Sequence, residues 1–165
     1  MTGFDRILHD LNDAGVRYVL IGGIALIRHG VVRATRDIDA VFDPDPDNVE
    51  RIRSLVDTWG ATRPDGSPVP DGGIAGDRTV HLSTPHGELD LLSEAAAAFP
   101  FADLLERAET RRVDGVEAPI CSLADLVAMK RSVGRERDLA DLADLESAHG
   151  KLPDSRRPHS RPAGY

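Results

Sequence analysis

The sequence predicts an α/β (α+β) fold: a short mixed sheet carrying acidic side chains on one face, helices packed behind it, and a small C-terminal helical unit. Three observations carry this expectation. Short β-rich runs alternate with runs of helical period, the pattern of a sheet covered by helices. Aspartates interrupt two of the apolar runs, at Asp37, Asp39 and Asp90, which places carboxylates on one sheet face; for Asp37-x-Asp39 alone the competing reading is a charged strand end before a loop. Two helical runs close the chain with no strand between them.

Phe4, Ile7, Leu8 and Leu11 recur at helical spacing, and Gly15 follows as a stop signal. Val16 to Ile21 reads as a short buried strand that ends on Gly22-Gly23. Ile24 to His29 is helical and stops at Gly30; Asp37 to Phe42 is a strand, closed by Pro44 and Pro46. Asn48 to Trp59 forms a helix with Val49, Ile52, Leu55 and Val56 on one face. The Gly-, Pro- and Asp-rich stretch 61–77 is an irregular loop. Thr79–Ser83 and Glu88–Leu92 are strands joined by a turn at Thr84-Pro85-His86-Gly87. Ala95 to Ala108 is helical with a break near Pro100, and Val113 to Ile120 is a strand pair around Asp114-Gly115. Ser122–Ser132, with Ser122 as N-cap, and Glu136–Ala148 are the closing helices.

The chain has 165 residues, about one domain, and we expect residues 1–150 to form it and 151–165 to be a basic, disordered tail. Lys151, Arg156, Arg157 and Arg161 stand against Asp154 there, so the body is more acidic than the formal net charge of −8. An acidic body argues against broad, nonspecific nucleic-acid binding, although carboxylates that hold metal count as negative only until the metal arrives. No apolar run approaches the ~20 residues of a membrane span. One cysteine, Cys121, leaves no internal disulfide, which fits a cytoplasmic location, and it reads as a small buried hydrophobe.

The chemistry is carried by a strand, then Gly22-Gly23, a helix, and Asp37-Ile38-Asp39 on the next strand, with thirteen residues between Gly23 and Asp37. Alternation places Asp37 and Asp39 on one face and Ile38 and Ala40 on the other. Neighbouring carboxylates repel, and the arrangement makes sense around a divalent cation; Mg²⁺ takes hard oxygen ligands and is commonly held by one or two carboxylates plus substrate phosphates. Asp90 interrupts a further apolar strand and can complete a two-metal site, with Glu88 as the alternative third ligand on the same face. Glycines at a strand-to-helix junction let backbone N–H groups approach phosphate oxygens, which makes Gly22 and Gly23 candidate phosphate binders; the competing reading is a plain tight turn. Thr35 shares the face of Asp37, whereas Arg36 points away.

Near the C-terminus, Lys130 shares the apolar stripe of Leu123, Leu126 and Val127. Asp138 and Asp141 lie on the core-facing side of the last helix with Leu142 and Leu145. Buried charges need partners, so Asp138 is expected to orient Lys130 or Arg135. Lys130 faces a triphosphate on one reading and makes a purely structural pair with Asp138 on the other.

The stretch from Val19 through Gly22-Gly23 and Arg33-x-Thr35-x-Asp37-Ile-Asp39 to Phe42 resembles the signature of the polymerase-β-like nucleotidyltransferase superfamily. Within it, the form of this motif is similar to AbiEii-like and MenT-like toxins of bacterial toxin–antitoxin systems, and a second block, Leu126 to Lys130 with Gly134 to Leu142, belongs to the same pattern. The resemblance implies the nucleotidyltransferase fold and a Mg²⁺-dependent enzyme that moves a nucleoside monophosphate from an NTP to an acceptor hydroxyl, releasing pyrophosphate. It implies metal ligation by Asp37, Asp39 and Asp90, nucleotide contacts from Gly22, Gly23, Thr35 and Lys130, and a part in activity for Lys130 and Asp138. It further implies a tRNA acceptor and a cognate antitoxin protein. A small-molecule acceptor, a modified protein, and a catalytically silent nucleotide-binding module are the alternatives. The sequence leaves the NTP, the acceptor and the oligomeric state open.

Overall fold

The computed structural model describes residues 3–76 and 78–154. Helix α1 (Gly3–Asp13) leads into β1 (Tyr18–Leu20), α2 (Gly22–Arg28), β2 (Asp37–Phe42) and α3 (Pro46–Trp59). After a long loop come β3 (Val80–Thr84), β4 (Gly87–Leu92), α4 (Glu94–Ala97), α5 (Phe101–Arg107), β5 (Glu109–Val113), β6 (Val116–Ile120), α6 (Leu123–Val133) and α7 (Glu136–His149). The strands form one six-stranded sheet in the order β3-β4-β2-β1-β6-β5. Its β2–β4 and β1–β6 pairs are parallel and the other three antiparallel, so the sheet is mixed.

The central strands are apolar because helices cover them. Val19, Leu20, Ile38, Ala40, Val41 and Leu89 have no measurable exposure, and burying a side chain of the larger kind contributes roughly 1.5–3 kcal/mol. Helix α1 buries Ile7, Leu8 and Leu11, the stripe expected from its period. The Trp59 indole donates to Asp10 Oδ2 at 2.8 Å and so ties α3 to α1. Asn48, wholly buried, is fully occupied: it accepts from the Arg17 N–H and donates to the carbonyls of Arg17 and Asp43, which pins the start of β1 to the end of β2.

Several element boundaries differ from expectation. Pro46 opens α3 two residues early, because proline suits the first helical position and Asp45 accepts the Asp47 N–H as its cap. The helix expected over Ala95–Ala108 is two short helices, separated at Phe99-Pro100, with Ala98 in the left-handed region. It also ends earlier: Glu109 to Val113 is strand, pairing antiparallel with β6 across Asp114-Gly115. The Ser122 side chain accepts from Asp125 N, as an N-cap should. Of the expected tail, Leu152 is buried and the Pro153 carbonyl accepts from Arg131 at 2.7 Å; residues 155–165 lie outside the described residues. Among the described residues no helix is long and apolar enough to cross a membrane.

Candidate functional site

Three carboxylates converge where β2 and β4 run side by side. Their parallel register sets Asp39 beside Asp90, and alternation brings Asp37 to the same face. One oxygen from each of Asp37, Asp39 and Asp90 lies within 4.8 Å of the others. Glu88 is the register partner of Asp37, but its carboxylate accepts from Ser83 Oγ at 2.8 and 2.9 Å on the edge strand. The third member of the cluster is therefore Asp90.

The cluster is strained electrostatically. Burial, and then the adjacent Asp37 and Asp90, push the Asp39 carboxyl up to about 6. A hydrogen bond from the Gly23 N–H and the charge of Lys130 pull the other way without cancelling the rise. Thr35 donates its hydroxyl to Asp37 Oδ1 at 3.1 Å, which orients that carboxylate. A compact trio of hard oxygen donors with surplus negative charge fits a divalent cation such as Mg²⁺.

The glycine pair is required by the approach of these side chains. Gly22 has φ +59°, and a Cβ there would fall 2.0 Å from Asp39 Oδ2. A Cβ on Gly23 would fall 2.5 Å from the Thr35 hydroxyl oxygen. Larger residues would displace the groups that form the cluster. The first turn of α2 begins at these glycines, and Ile21 provides no side-chain cap for it.

A cleft of about 450 Å³ opens over the trio. The side chains of α6, α7 and the loop before β2 supply its cations: Arg33, Lys130, Arg135 and Arg137. Lys130 Nζ bonds Asp138 Oδ1 at 3.0 Å and Asp141 Oδ2 at 2.7 Å, and its side chain is only 13% exposed. Asp138 also accepts from Arg135 Nε at 2.8 Å and from the Arg135 backbone N–H at 3.2 Å, closing the first turn of α7. Burial opposes the charged form of Asp138, yet its bonds from Arg135 and Lys130 outweigh that and hold the carboxyl at about 2. Asp138 thus partners both cations named for it by the sequence.

Gly22, Gly23, Thr35, Asp37, Asp39, Asp90, Lys130 and Asp138 all line this one cleft; Arg36 and Cys121 do not. Cys121 is fully buried, and burial raises its thiol well above the usual range. His29 caps α2, with Nε2 2.8 Å from the Cys121 carbonyl oxygen.

Three contacts in the cleft were not anticipated from the sequence, although Arg33 and Asp141 stand in its motifs: Asp141 with Lys130, Asp141 with Arg33, and His81 with Asp90. Asp141 is a second partner of Lys130, and Arg33 bonds its other oxygen at 2.7 Å, joining the loop before β2 to α7. Nothing local signals that contact, which spans more than a hundred residues of chain. His81 stands opposite Asp90 across the β3–β4 hairpin, with Nδ1 2.8 Å from Asp90 Oδ1. That pairing was legible, because a turn at Thr84–Gly87 sets residue 81 against residue 90.

In fold the chain is similar to a lincosamide antibiotic adenylyltransferase, LnuA, in its lincomycin-bound crystal structure. The TM-score is 0.63 at 16% identity, over 88% of this chain and 96% of that one. A putative nucleotidyltransferase from Thermotoga maritima gives a TM-score of 0.58 at 14% identity, over 87% and 90% of the two chains. An antigenic nucleotidyltransferase-like protein from Paracoccidioides brasiliensis gives 0.58 at 17% identity, over 89% and 72%. No curated protein matches the sequence. The family profile described as "Nucleotidyltransferase of unknown function (DUF6036)" matches residues 4–148, and with the acids, the glycine pair and the fold all in that span, the chain belongs to this nucleotidyltransferase family.

Proposed function

We propose that the protein transfers a nucleoside monophosphate from an NTP to an acceptor hydroxyl with Mg²⁺, and that the acceptor is tRNA. The observation that carries the transfer reaction is the convergence of Asp37, Asp39 and Asp90 at the floor of a cleft that also holds Arg33, Lys130, Arg135 and Arg137. In the reaction the acceptor oxygen bonds to the α-phosphorus, the bond from that phosphorus to the bridging oxygen breaks, and pyrophosphate leaves. Mg²⁺ bound by the three aspartates would supply charge neutralisation and lower the barrier to deprotonating the hydroxyl. Asp37 and Asp39 would hold it, with Thr35 keeping Asp37 in position, and Asp90 would complete the shell or take the hydroxyl proton. The Gly22 and Gly23 backbone and the cationic wall would hold the triphosphate, with Lys130 using the one ammonium donor that Asp138 and Asp141 leave free.

The tRNA acceptor, and with it the toxin role and a cognate antitoxin, is supported by the motif form Arg33-x-Thr35-x-Asp37-Ile-Asp39 and the second block ending at Leu142. A second reading, a small-molecule acceptor, is favoured by the fold likeness to the lincosamide adenylyltransferase, which extends over nearly the whole of both chains. The test is incubation of the protein with each α-³²P-labelled NTP, Mg²⁺ and either total tRNA or lincomycin beside an Asp39→Ala variant. Label on tRNA that disappears with the variant is the expected result. Label on lincomycin in place of tRNA moves the acceptor to the small-molecule class, and label on protein alone removes both. No label on any acceptor, with nucleotide binding retained, would leave only the silent nucleotide-binding module.

A further inference from the structure

The cleft is chemically lopsided, and its two halves are set by the order of strands. From the edge inward the floor reads His81 on β3, Asp90 on β4, Asp37 and Asp39 on β2, then Gly22 and Gly23 beyond the end of β1. Beyond the glycines stand α6, α7 and the turn between them with Lys130, Arg135 and Arg137, joined by Arg33; the acids on this wall are Asp138 and Asp141, and Lys130 also acts on Asp39. On the Asp90 side the wall is made of Leu92 and of Ala96, Ala97 and Ala98 at the end of α4, and among the described residues it contains no Lys or Arg. A triphosphate placed on the alanine side would meet Asp90 with no compensating charge, whereas on the α6–α7 side it meets a cationic surplus.

We infer that the nucleotide occupies the α6–α7 half and that the alanine wall with His81 is the acceptor subsite, which receives an uncharged, hydroxyl-bearing group such as a sugar ring. The inference rests on the nucleotidyl-transfer reading above, including its placement of the triphosphate, and adds where the acceptor sits. The alanines leave room for a ring to lie flat against the wall, and Leu92 supplies apolar contact at its base. His81 is the positioning residue of this half. Its Nδ1 is held by Asp90 at 2.8 Å, its side chain is 58% exposed, and its Nε2 has no partner among the described residues. A hydroxyl bonded to Nε2 is anchored one ring-width from Asp90, so the neighbouring hydroxyl of the same sugar is presented to the carboxylates. Fixing that geometry is what converts an encounter into a reactive complex.

The test uses protein labelled with ¹³C at the methyl groups of Ala and Met, saturated with Mg²⁺ and titrated with α,β-methylene-ATP, which cannot be cleaved at the reacting bond. Met129 lines the nucleotide half and Ala96 and Ala98 the other. The expected result is that the Met129 methyl shifts while those of Ala96 and Ala98 stay in place. Shifts of Ala96 and Ala98 as large as that of Met129 would overturn the assignment of halves while leaving nucleotide binding intact. No shift at any methyl would remove the nucleotide-binding reading itself, and this inference with it. A second arm uses Ala96→Trp, at an exposed helical position, with total tRNA and lincomycin each offered as acceptor. It should keep the Met129 shift and lower transfer about tenfold or more; unchanged transfer would count against the subsite. For His81, replacement by Gln, which carries a donor out near the Nε2 position, should preserve the acceptor KM better than Asn, which replaces only the Nδ1 contact. Both should leave the NTP KM unchanged. Equal acceptor KM values for Asn and wild type would remove His81 from the subsite.

Discussion

Asp39 lies against Gly22 so closely that a single methyl group on the glycine would sit 2.0 Å from Oδ2 of the carboxylate. The turn after β1 and the acid on β2 are thus one unit, although seventeen positions apart in sequence. The glycine is demanded twice, by this contact and by its φ of +59°.

Gly22→Ala is therefore expected to cost activity as well as stability. The left-handed backbone alone costs roughly 1–2 kcal/mol, and relief of the clash displaces Asp39 from the trio. Gly15→Ala is the matched control: φ is +66° but nothing stands within 4 Å of the added Cβ. Thermal melts should fall for both, while nucleotidyl transfer should be lost only in Gly22→Ala.

Cation binding should tighten as pH rises through about 6, where the Asp39 carboxyl ionises. The sign follows from the direction of the shift. The folded-state value lies above the ordinary 3.8, so the folded protein holds this proton more firmly than the unfolded chain. That contribution to stability is full below about 3.8 and is lost as pH rises through about 6. Mg²⁺ replaces the proton, so it should raise the melting temperature more at pH 7.5 than at pH 5. Asp39→Asn should abolish the difference, as followed by thermal melts with and without Mg²⁺.

Lys130→Ala should destabilise the protein by about 3–5 kcal/mol, because it leaves the buried Asp138 and Asp141 short of a counter-charge. In a double-mutant cycle with Asp138→Asn, the pair should be less harmful than the two single costs added together. Asp138 itself has a depressed folded-state value of about 2; its contribution is present above the ordinary 3.8 and lost as pH falls towards 2. Urea denaturation at pH 7 measures the cycle, and acid titration of stability checks the sign.

Arg107→Ala provides a purely structural contrast. Arg107 makes a forked pair with Asp125, whose side chain is 1% exposed, through bonds of 2.9 to 3.1 Å that hold α5 to α6, and neither residue lines the cleft. The variant should lose about 3 kcal/mol in urea denaturation. Nucleotide affinity, measured by calorimetry under conditions where the fold persists, should be unchanged.

The sequence by itself determined most of the elements and which way their side chains face, though not the full separation of Ala95–Ala108 into two helices or the start of a strand at Glu109. Strand alternation put Asp37 and Asp39 on one side with Ile38 on the other, and helical period put Lys130, Asp138 and Asp141 on inward faces; both follow from local backbone geometry. The hairpin turn even set His81 against Asp90, because a tight turn defines its own register. What only the tertiary structure decided are the relations between segments far apart in the chain. The parallel register of β2 with β4 placed Asp90 beside Asp39, while Ser83 occupied Glu88. The docking of α7 on the loop before β2 joined Arg33 to Asp141. The same arrangement gathered the cations on one wall of the cleft and alanines on the other. Local preferences choose a residue's conformation and face, but the partner it meets across the fold depends on how every intervening element packs, and no short stretch of sequence contains that.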